Sequence, residues 1–85
     1  MSLVYQWLLS EESYGYLRAV RPAQRRRLET ALDHLAAHPF AEPSYIDFDA
    51  DGEELFHRFT DTHTLIYHVD HAVRRVLILE ICANP

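Results

Sequence analysis

Two apolar stretches near the C-terminal end decide the fold of this chain: "HTLIYHV" (63–69) and "VRRVLILEI" (73–81). Both are rich in β-branched and aromatic residues, which is typical of strands. The "DHA" between them favours a turn, so the pair predicts two neighbouring antiparallel strands. The second stretch is the more continuously apolar, and we therefore expect it to occupy the centre of the sheet.

A second hairpin is predicted just upstream, where "YIDFD" (45–49) and "ELFHRF" (54–59) flank a short turn. The "DFDADG" within it resembles the first half of a calcium-binding loop. Such a loop needs a bidentate glutamate at its twelfth position, and counting from Asp47 that position is Arg58. Asp51–Gly52 is instead typical of a two-residue type I′ turn, which predicts a tight hairpin.

The two-residue turn implies a register for this hairpin and so predicts which side chains share a face. It pairs Phe48 with Leu55 and Ile46 with His57. Because side chains alternate along a strand, one face is expected to enter the core. That face is predicted to hold Ile46, Phe48, Leu55 and Phe59 with His57 among them, and the opposite face Asp47, Phe56 and Arg58.

The N-terminal half predicts a strand followed by two helices. "LVYQWLL" (3–9) is apolar at nearly every position, and we expect a strand that is covered on both faces. Ser10 is a natural N-cap for the first helix, which Arg21–Pro22 separates from a second helix ending before Pro39. The order is β-α-α-β-β-β-β, or one strand fewer if residues 45–49 are irregular. Predicted core residues are Leu28, Leu32, Leu35, Phe48, Leu65, Tyr67, Val76 and Ile78.

Length and composition narrow the class of protein. Eighty-five residues make a single α+β domain, 1–85, with so small a core that we expect a partner or a homo-oligomer to stabilise it. The net charge of −5 counts against indiscriminate binding to nucleic acid, although all eight cationic residues are arginines. We expect neither a signal peptide nor a membrane span, and the single Cys82 fits a reducing cytoplasm.

Chemistry-bearing side chains concentrate in "FHRFTDTHTLIYHVD" (56–70). Histidine is a general acid or base near neutral pH, and arginine can hold a phosphodiester bidentately. Such a set could cleave RNA; the alternative is that these are solvated strand positions. Neighbouring strand residues point to opposite faces, so Arg58 is the first choice as phosphate ligand and His63, at a turn, the alternative acid or base. The candidates are Arg58, His63, His57 and Asp61, with His68 nearby.

Metal chemistry has little support in the sequence. His34 and His38 are four residues apart on the second predicted helix, but the chain has no zinc-type cysteine and histidine cluster. We therefore expect neither a metal nor another cofactor.

Most of the chain resembles the RelE/ParE superfamily of type II toxins. The resemblance runs through "YQWLLSEESYGYLRAVRPAQRRRLETALDHLAAHP" (5–39) and "ELFHRFTDTHTLIYHVDHAVRRVLILEI" (54–81). Its most specific part is "TLIYHVD" (64–70) leading into "VLILEI" (76–81). The resemblance implies an α+β fold with an N-terminal strand, a helical hairpin and a mainly antiparallel sheet of three or four further strands.

The same resemblance implies a function: a cytoplasmic bacterial or archaeal toxin neutralised by a cognate antitoxin. One branch of the superfamily cleaves mRNA on the ribosome, another poisons DNA gyrase without being a hydrolase, and a third alternative is a relative that binds only an antitoxin-like partner. In the nuclease alternative His57 would be the acid or base, Arg58 the phosphate ligand, and Asp61 the residue that orients the histidine. Thr64, where the superfamily usually has arginine, and the final "CANP" (82–85) favour the other two.

Overall fold

The computed structural model describes residues 4–85, so Leu3 of the predicted first strand lies outside the described residues. Five strands and two helices follow one another in the predicted order β-α-α-β-β-β-β. The elements are β1 (Gln6–Leu9), α1 (Glu11–Ala19), α2 (Pro22–Ala37), β2 (Tyr45–Phe48), β3 (Glu54–Phe59), β4 (His63–Asp70) and β5 (Arg75–Ala83).

All five strands form one sheet in the order β1-β5-β4-β3-β2. β1 runs parallel to β5, and every other neighbouring pair is antiparallel. The predicted α+β class and mainly antiparallel sheet are therefore confirmed. The most apolar strand, β5, is internal, but the central strand of the five is β4. Only β1 lies beyond β5, whereas both strands of the β2–β3 hairpin lie beyond β4.

α1 begins where the sequence predicts, at the N-cap Ser10, whose hydroxyl accepts from the Ser13 backbone N–H at 3.1 Å. The same hydroxyl lies 2.9 Å from the carbonyl of Leu79, the residue that β5 inserts as a bulge opposite β4. Ser13 Oγ donates to the Ile78 carbonyl at 3.2 Å. The start of the helix and the bulge thus satisfy each other's polar groups. Ser13 is fully buried, whereas the neighbouring Tyr14 is exposed.

The core lies between one face of the sheet and the two helices. α1 packs mainly on β5 and α2 on β1, so the helices bury their apolar stripes against the sheet more than against each other. Seven of the eight predicted core residues are buried; the exception is Phe48, which is 61% exposed. The buried seven are Leu28, Leu32, Leu35, Leu65, Tyr67, Val76 and Ile78.

The hairpin turn differs from the prediction by one residue. Phe48 pairs with Glu54, and Asp49 N–H donates to the Glu53 carbonyl at 2.9 Å, so the loop contains three residues. Gly52 has φ 82° and donates to the Asp49 carbonyl, the geometry of a turn closed by a left-handed glycine. The Asp49 carboxylate accepts from two further N–H groups of the turn and so stabilises the longer loop.

The one-residue shift turns β3 over relative to β2, so that Phe56 and Arg58 share the helix-facing side with Ile46 and Phe48. The helices pack on β1 and β5 and do not reach β2. The predicted core residues Ile46, Phe48 and Phe59 are exposed, whereas Phe56 packs against the core edge-to-face with Tyr67. The expectation that β1 is covered on both faces is also wrong. Its Leu8 is 42% exposed, because the helices cover only one face of the sheet.

The turn between β4 and β5 is longer than "DHA", and β5 begins at Arg75 where the sequence predicts Val73. The Asp70 carboxylate accepts from the N–H groups of Ala72 and Val73 and so organises the turn. Arg74 closes it at φ 55°, a left-handed conformation that is unfavourable for a residue with a side chain.

Candidate functional site

Arg58 lies on the face of β3 that is turned toward the helices, beside its cross-strand partner Leu65. Its Nη2 donates to the Glu42 carbonyl at 2.9 Å, and its Nε is covered without a partner among the described residues. Burial raises the pKa of the neighbouring Tyr67, and the positive charge of Arg58 partly offsets that effect. The expectation that Arg58 shares a face with Asp47 is wrong, because the register of the hairpin places them on opposite faces.

His57 points to the opposite face of the sheet, as the alternation predicts. This open face, defined as the side of the sheet turned away from the helices, also carries Tyr45, whose ring meets the imidazole edge-to-face at 5.1 Å. The Nε2 atom of His57 is covered and has no hydrogen-bond partner within residues 4–85. The ring would have to move before that nitrogen could exchange a proton with a substrate.

His63 is 1% exposed, so the expectation of a loosely constrained turn residue is wrong. Its ring lies between β4 and the helices, 2.9 Å from the hydroxyl of Tyr16 at Nε2 and 2.8 Å from Thr62 Oγ1 at Nδ1. The side-chain amide of Gln24 lies 3.4 Å from the same Nε2. A neutral imidazole that donates from Nδ1 and accepts at Nε2 satisfies these partners, and burial lowers the pKa of His63 accordingly.

Asp61 is exposed at the tip of the β3–β4 turn, beside a small surface cavity that Arg27 of α2 also lines. The turn is held by the C-terminal segment. Asn84 donates from its side chain to the Thr60 carbonyl at 3.0 Å and accepts from Thr64 Oγ1 at 2.7 Å. The "CANP" end and Thr64 both differ from the superfamily pattern, and here they are hydrogen-bonded to each other through Asn84, which also stabilises the β3–β4 turn.

The four candidates do not form one site. Arg58 lies on the helix-facing side of the sheet, His57 on the open face, His63 in the interior and Asp61 at a turn tip.

His57 does share the open face with His68, its diagonal neighbour on β4. His68 donates from Nδ1 to the Glu54 carbonyl at 2.6 Å, and its Nε2 lies 3.7 Å from an Asp49 carboxylate oxygen. These two histidines are candidate proton carriers that share one face of the sheet.

The rest of the open face is apolar and short of cations. A shallow depression of about 700 Å³ crosses the sheet from Leu8 and Leu77 to Glu54 at the start of β3. Its rim carries one arginine, Arg75, and three carboxylates, those of Glu53, Glu54 and Asp70. A phosphodiester approaching this face would meet more negative than positive charge.

Two further features of the described residues concern metal ligands and membrane-spanning helices. The rings of His34 and His38 lie 4.5 Å apart on α2, and within residues 4–85 no three metal-ligand side chains are grouped together. In the same part of the chain, neither helix has the length and apolar composition needed to cross a membrane.

Solved structures decide the fold family. A chain of the RelBE2 toxin–antitoxin complex from Mycobacterium tuberculosis aligns with a TM-score of 0.80 at 16% identity, covering 96% of this chain and 100% of its own. The chain has the RelE fold. A chain of the archaeal RelE–RelB complex from Pyrococcus horikoshii OT3 aligns with a TM-score of 0.71 at 20% identity, covering 95% and 96%.

The intact RelBE toxin–antitoxin complex of E. coli gives a TM-score of 0.74 at 14% identity, with 95% of this chain and 98% of the other covered. No protein-family model and no curated protein matches the sequence. The fold implied by the resemblance is therefore confirmed by structure, at identities too low for residue roles to be transferred from the RelE-fold relatives.

Proposed function

We propose that this RelE-fold chain is the toxin component of a type II toxin–antitoxin system and acts in the cytoplasm, where a cognate antitoxin protein holds it inactive. The observation that carries the proposal is the end-to-end match to chains of three RelE–RelB complexes, covering 95–96% of this chain.

The geometry favours a toxin that binds a macromolecular target without hydrolysing it, as in the gyrase-type alternative. RNA cleavage needs a cation at the phosphate and a proton carrier within hydrogen-bond reach of the same substrate. Arg58 and His57 are on opposite faces, and His63 is enclosed by Tyr16, Gln24 and Thr62. Binding to a protein target does not require a cation and a proton carrier to meet at one point.

A ribosome-dependent mRNA endonuclease is the second candidate, and one observation supports it. His57 and His68 lie diagonally on neighbouring strands of the open face, where an RNA strand could contact both. In this alternative the cation would have to come from Arg75 or from the ribosome, since Arg58 faces the helices.

Induced expression of the chain in a bacterial host tests both whether the chain is a toxin and how it acts. We expect growth arrest that is relieved when the small protein encoded by the neighbouring reading frame is co-expressed. Growth that continues at full rate with folded, abundant protein would rule out the toxin. The two modes of action then separate by measuring mRNA integrity and plasmid supercoiling in the arrested cells.

The site is tested by alanine variants, each checked for folding by circular dichroism. If the open-face nuclease is correct, His57→Ala and His68→Ala lose mRNA cleavage and Arg58→Ala retains it. Toxicity that survives in both histidine variants with intact mRNA supports action by binding. Loss of cleavage in folded Arg58→Ala would instead restore the site predicted from the sequence.

A further inference from the structure

We propose that the outer edge of β2 is a docking site for a basic, extended segment of a partner protein, which adds a sixth strand to the sheet. β2 ends the sheet, and no strand within residues 4–85 pairs with its outer side. All four of its residues are exposed, including Tyr45 at 53%, Ile46 at 42% and Phe48 at 61%. An exposed apolar edge strand is a template for strand addition unless something blocks it.

The hydrogen bonds show which peptide groups this edge offers. Asp49 donates to the Glu53 carbonyl, so these two residues form a hydrogen-bonded pair. Such pairs alternate along an antiparallel ladder, which turns the peptide groups of Ile46 and Phe48 outward. The Phe48 N–H is occupied by the Asp47 carboxylate at 2.8 Å. Asp47 therefore caps the edge while no partner is present.

Charge is the second observation, and it is concentrated at this end of the sheet. Residues 42–54 contain six carboxylates and no cation, whereas the rest of the chain has eight arginines and seven carboxylates. The net negative charge of the protein thus comes from this one segment, here called the acidic edge. Its carboxylates belong to Glu42, Asp47, Asp49, Asp51, Glu53 and Glu54.

The negative charge of the acidic edge determines which kind of partner can bind there. A second copy pairing through β2 would bring two sets of six carboxylates together, and like charges that face each other across strands are destabilising. Nucleic acid would be repelled in the same way. A basic segment is attracted, and a lysine or arginine that pairs with Asp47 would draw its carboxylate away and free the Phe48 N–H. The occupant should therefore alternate basic with apolar residues, the apolar ones packing on Tyr45, Ile46 or Phe48.

This inference rests on the proposed antitoxin-binding function for the identity of the partner, and it adds the binding mode and the chemistry of the bound segment. The surface itself can be tested without the partner. The probe is a fluorescein-labelled eight-residue peptide that alternates valine with lysine, titrated with the full chain and followed by fluorescence anisotropy. We expect binding that weakens with added salt, with the amide signals of Ile46 and Phe48 shifting most in a two-dimensional NMR titration.

Two control peptides separate strand addition from simple charge attraction. One replaces lysine by glutamate, and the other keeps every lysine but replaces the two central valines by proline, which cannot pair as a strand. We expect neither to bind measurably at the concentration that saturates with the first peptide. Equal binding of the proline peptide, or any preference for the glutamate peptide, would overturn the proposal.

Variants locate the contact. Neutralising Asp47, Glu53 and Glu54 together to Asn, Gln and Gln should weaken binding about tenfold, because the ion pairs that these three carboxylates form with the lysines are lost. The matched control makes the same change in net charge on the helices, by converting Glu11, Glu12 and Glu29 to Gln, and should leave affinity within about twofold. A separate Ile46→Pro variant removes one outward N–H, which edge strands tolerate, and should abolish strand addition in a protein that still melts cooperatively.

The outcomes distinguish this inference from the proposed function. Equal loss of affinity in the two charge variants, or unchanged binding by folded Ile46→Pro, would show that the segment does not dock at β2. Dimers that form through β2 in sedimentation of the chain alone would make a second copy the occupant. If the chain is toxic and relieved by its neighbour equally well with and without Ile46→Pro, the function stands and this docking site fails. If the peptide binds as expected but the chain is not toxic, the docking site stands and the toxin proposal fails.

Discussion

The two ends of the sheet both contain apolar strand residues but have opposite environments. At one end the edge strand β1 and its neighbour β5 pack under the helices, and Val76 and Ile78 of β5 are fully buried. At the other end β2 is just as clearly a strand, yet its Ile46 and Phe48 are exposed. Two helices cover only part of a five-stranded sheet, and they lie over β1 and β5. Apolar residues in a strand pattern therefore indicate a strand without indicating that it is buried.

The largest expected effect is at the covered end. Leu32→Ala should lower the free energy of unfolding by about 2–5 kcal/mol, because it opens a cavity in a core where Leu32 has no exposed surface. Urea unfolding monitored by circular dichroism measures this effect, either as a lower midpoint or, in so small a domain, as the loss of the folded baseline. A folded Leu32→Ala protein with a midpoint near that of the wild type would mean that α2 is not held by this face.

A pH-dependent loss of stability is expected from His63 at the same covered end. Its folded pKa lies below the ordinary 6.5, so folding favours the neutral imidazole and the unfolded chain binds the proton more readily. Stability is therefore fully present above about pH 6.5 and falls as the pH drops from there through the lower folded pKa.

The measurement is the urea midpoint between pH 8 and pH 5, compared with His63→Gln. The glutamine variant retains a polar partner for Tyr16 and Thr62 but does not titrate, so its profile should be flatter in this range. Identical profiles for the two proteins would show that His63 protonation is not linked to folding. Each unit by which the folded pKa is lowered corresponds to about 1.4 kcal/mol.

A smaller effect is expected at the turn of the exposed hairpin. Gly52→Val should destabilise by about 1 kcal/mol or more, because Gly52 has φ 82° and a β-branched residue resists that conformation. The space around Gly52 is open, so the effect comes from the backbone and not from a clash. Gly52→Asn is the matched control, since asparagine tolerates left-handed backbone better. Equal midpoints for the two variants would count against the turn geometry.

The smallest effect is expected on β2 itself. Phe48→Ser should change the free energy of unfolding by no more than about 0.5 kcal/mol, because the side chain is largely solvated and touches little of the core. Thermal melting against the wild type tests this directly. A loss of several degrees would mean that the acidic edge contributes to the fold as well as to binding, and the contrast between the two ends of the sheet would be weaker than the exposures indicate.

The sequence was sufficient for those features that depend on local rules. Ser10, Pro22 and the apolar spacing of α2 determined where the helices begin and which helical face is buried, because caps, proline and helical periodicity act within a few residues. Strand existence was equally local. The resemblance to RelE-fold toxins also gave the element order correctly, since it is carried by the two longest apolar strands.

Only the tertiary structure decided two kinds of feature: those that depend on the exact length of a loop, and those that depend on contacts with residues distant in the sequence. The carboxylate of Asp49 favours a three-residue turn, and that single extra residue turned β3 over relative to β2, which placed Arg58 on the helix-facing side instead of the open face. His63 is buried because Tyr16 and Gln24, both more than 35 positions away, supply its hydrogen bonds. Side-chain direction has a period of two, so a small local error becomes a complete error about the site. The placement of the acidic edge at an uncovered end of the sheet likewise follows from strand order, which no local pattern contains.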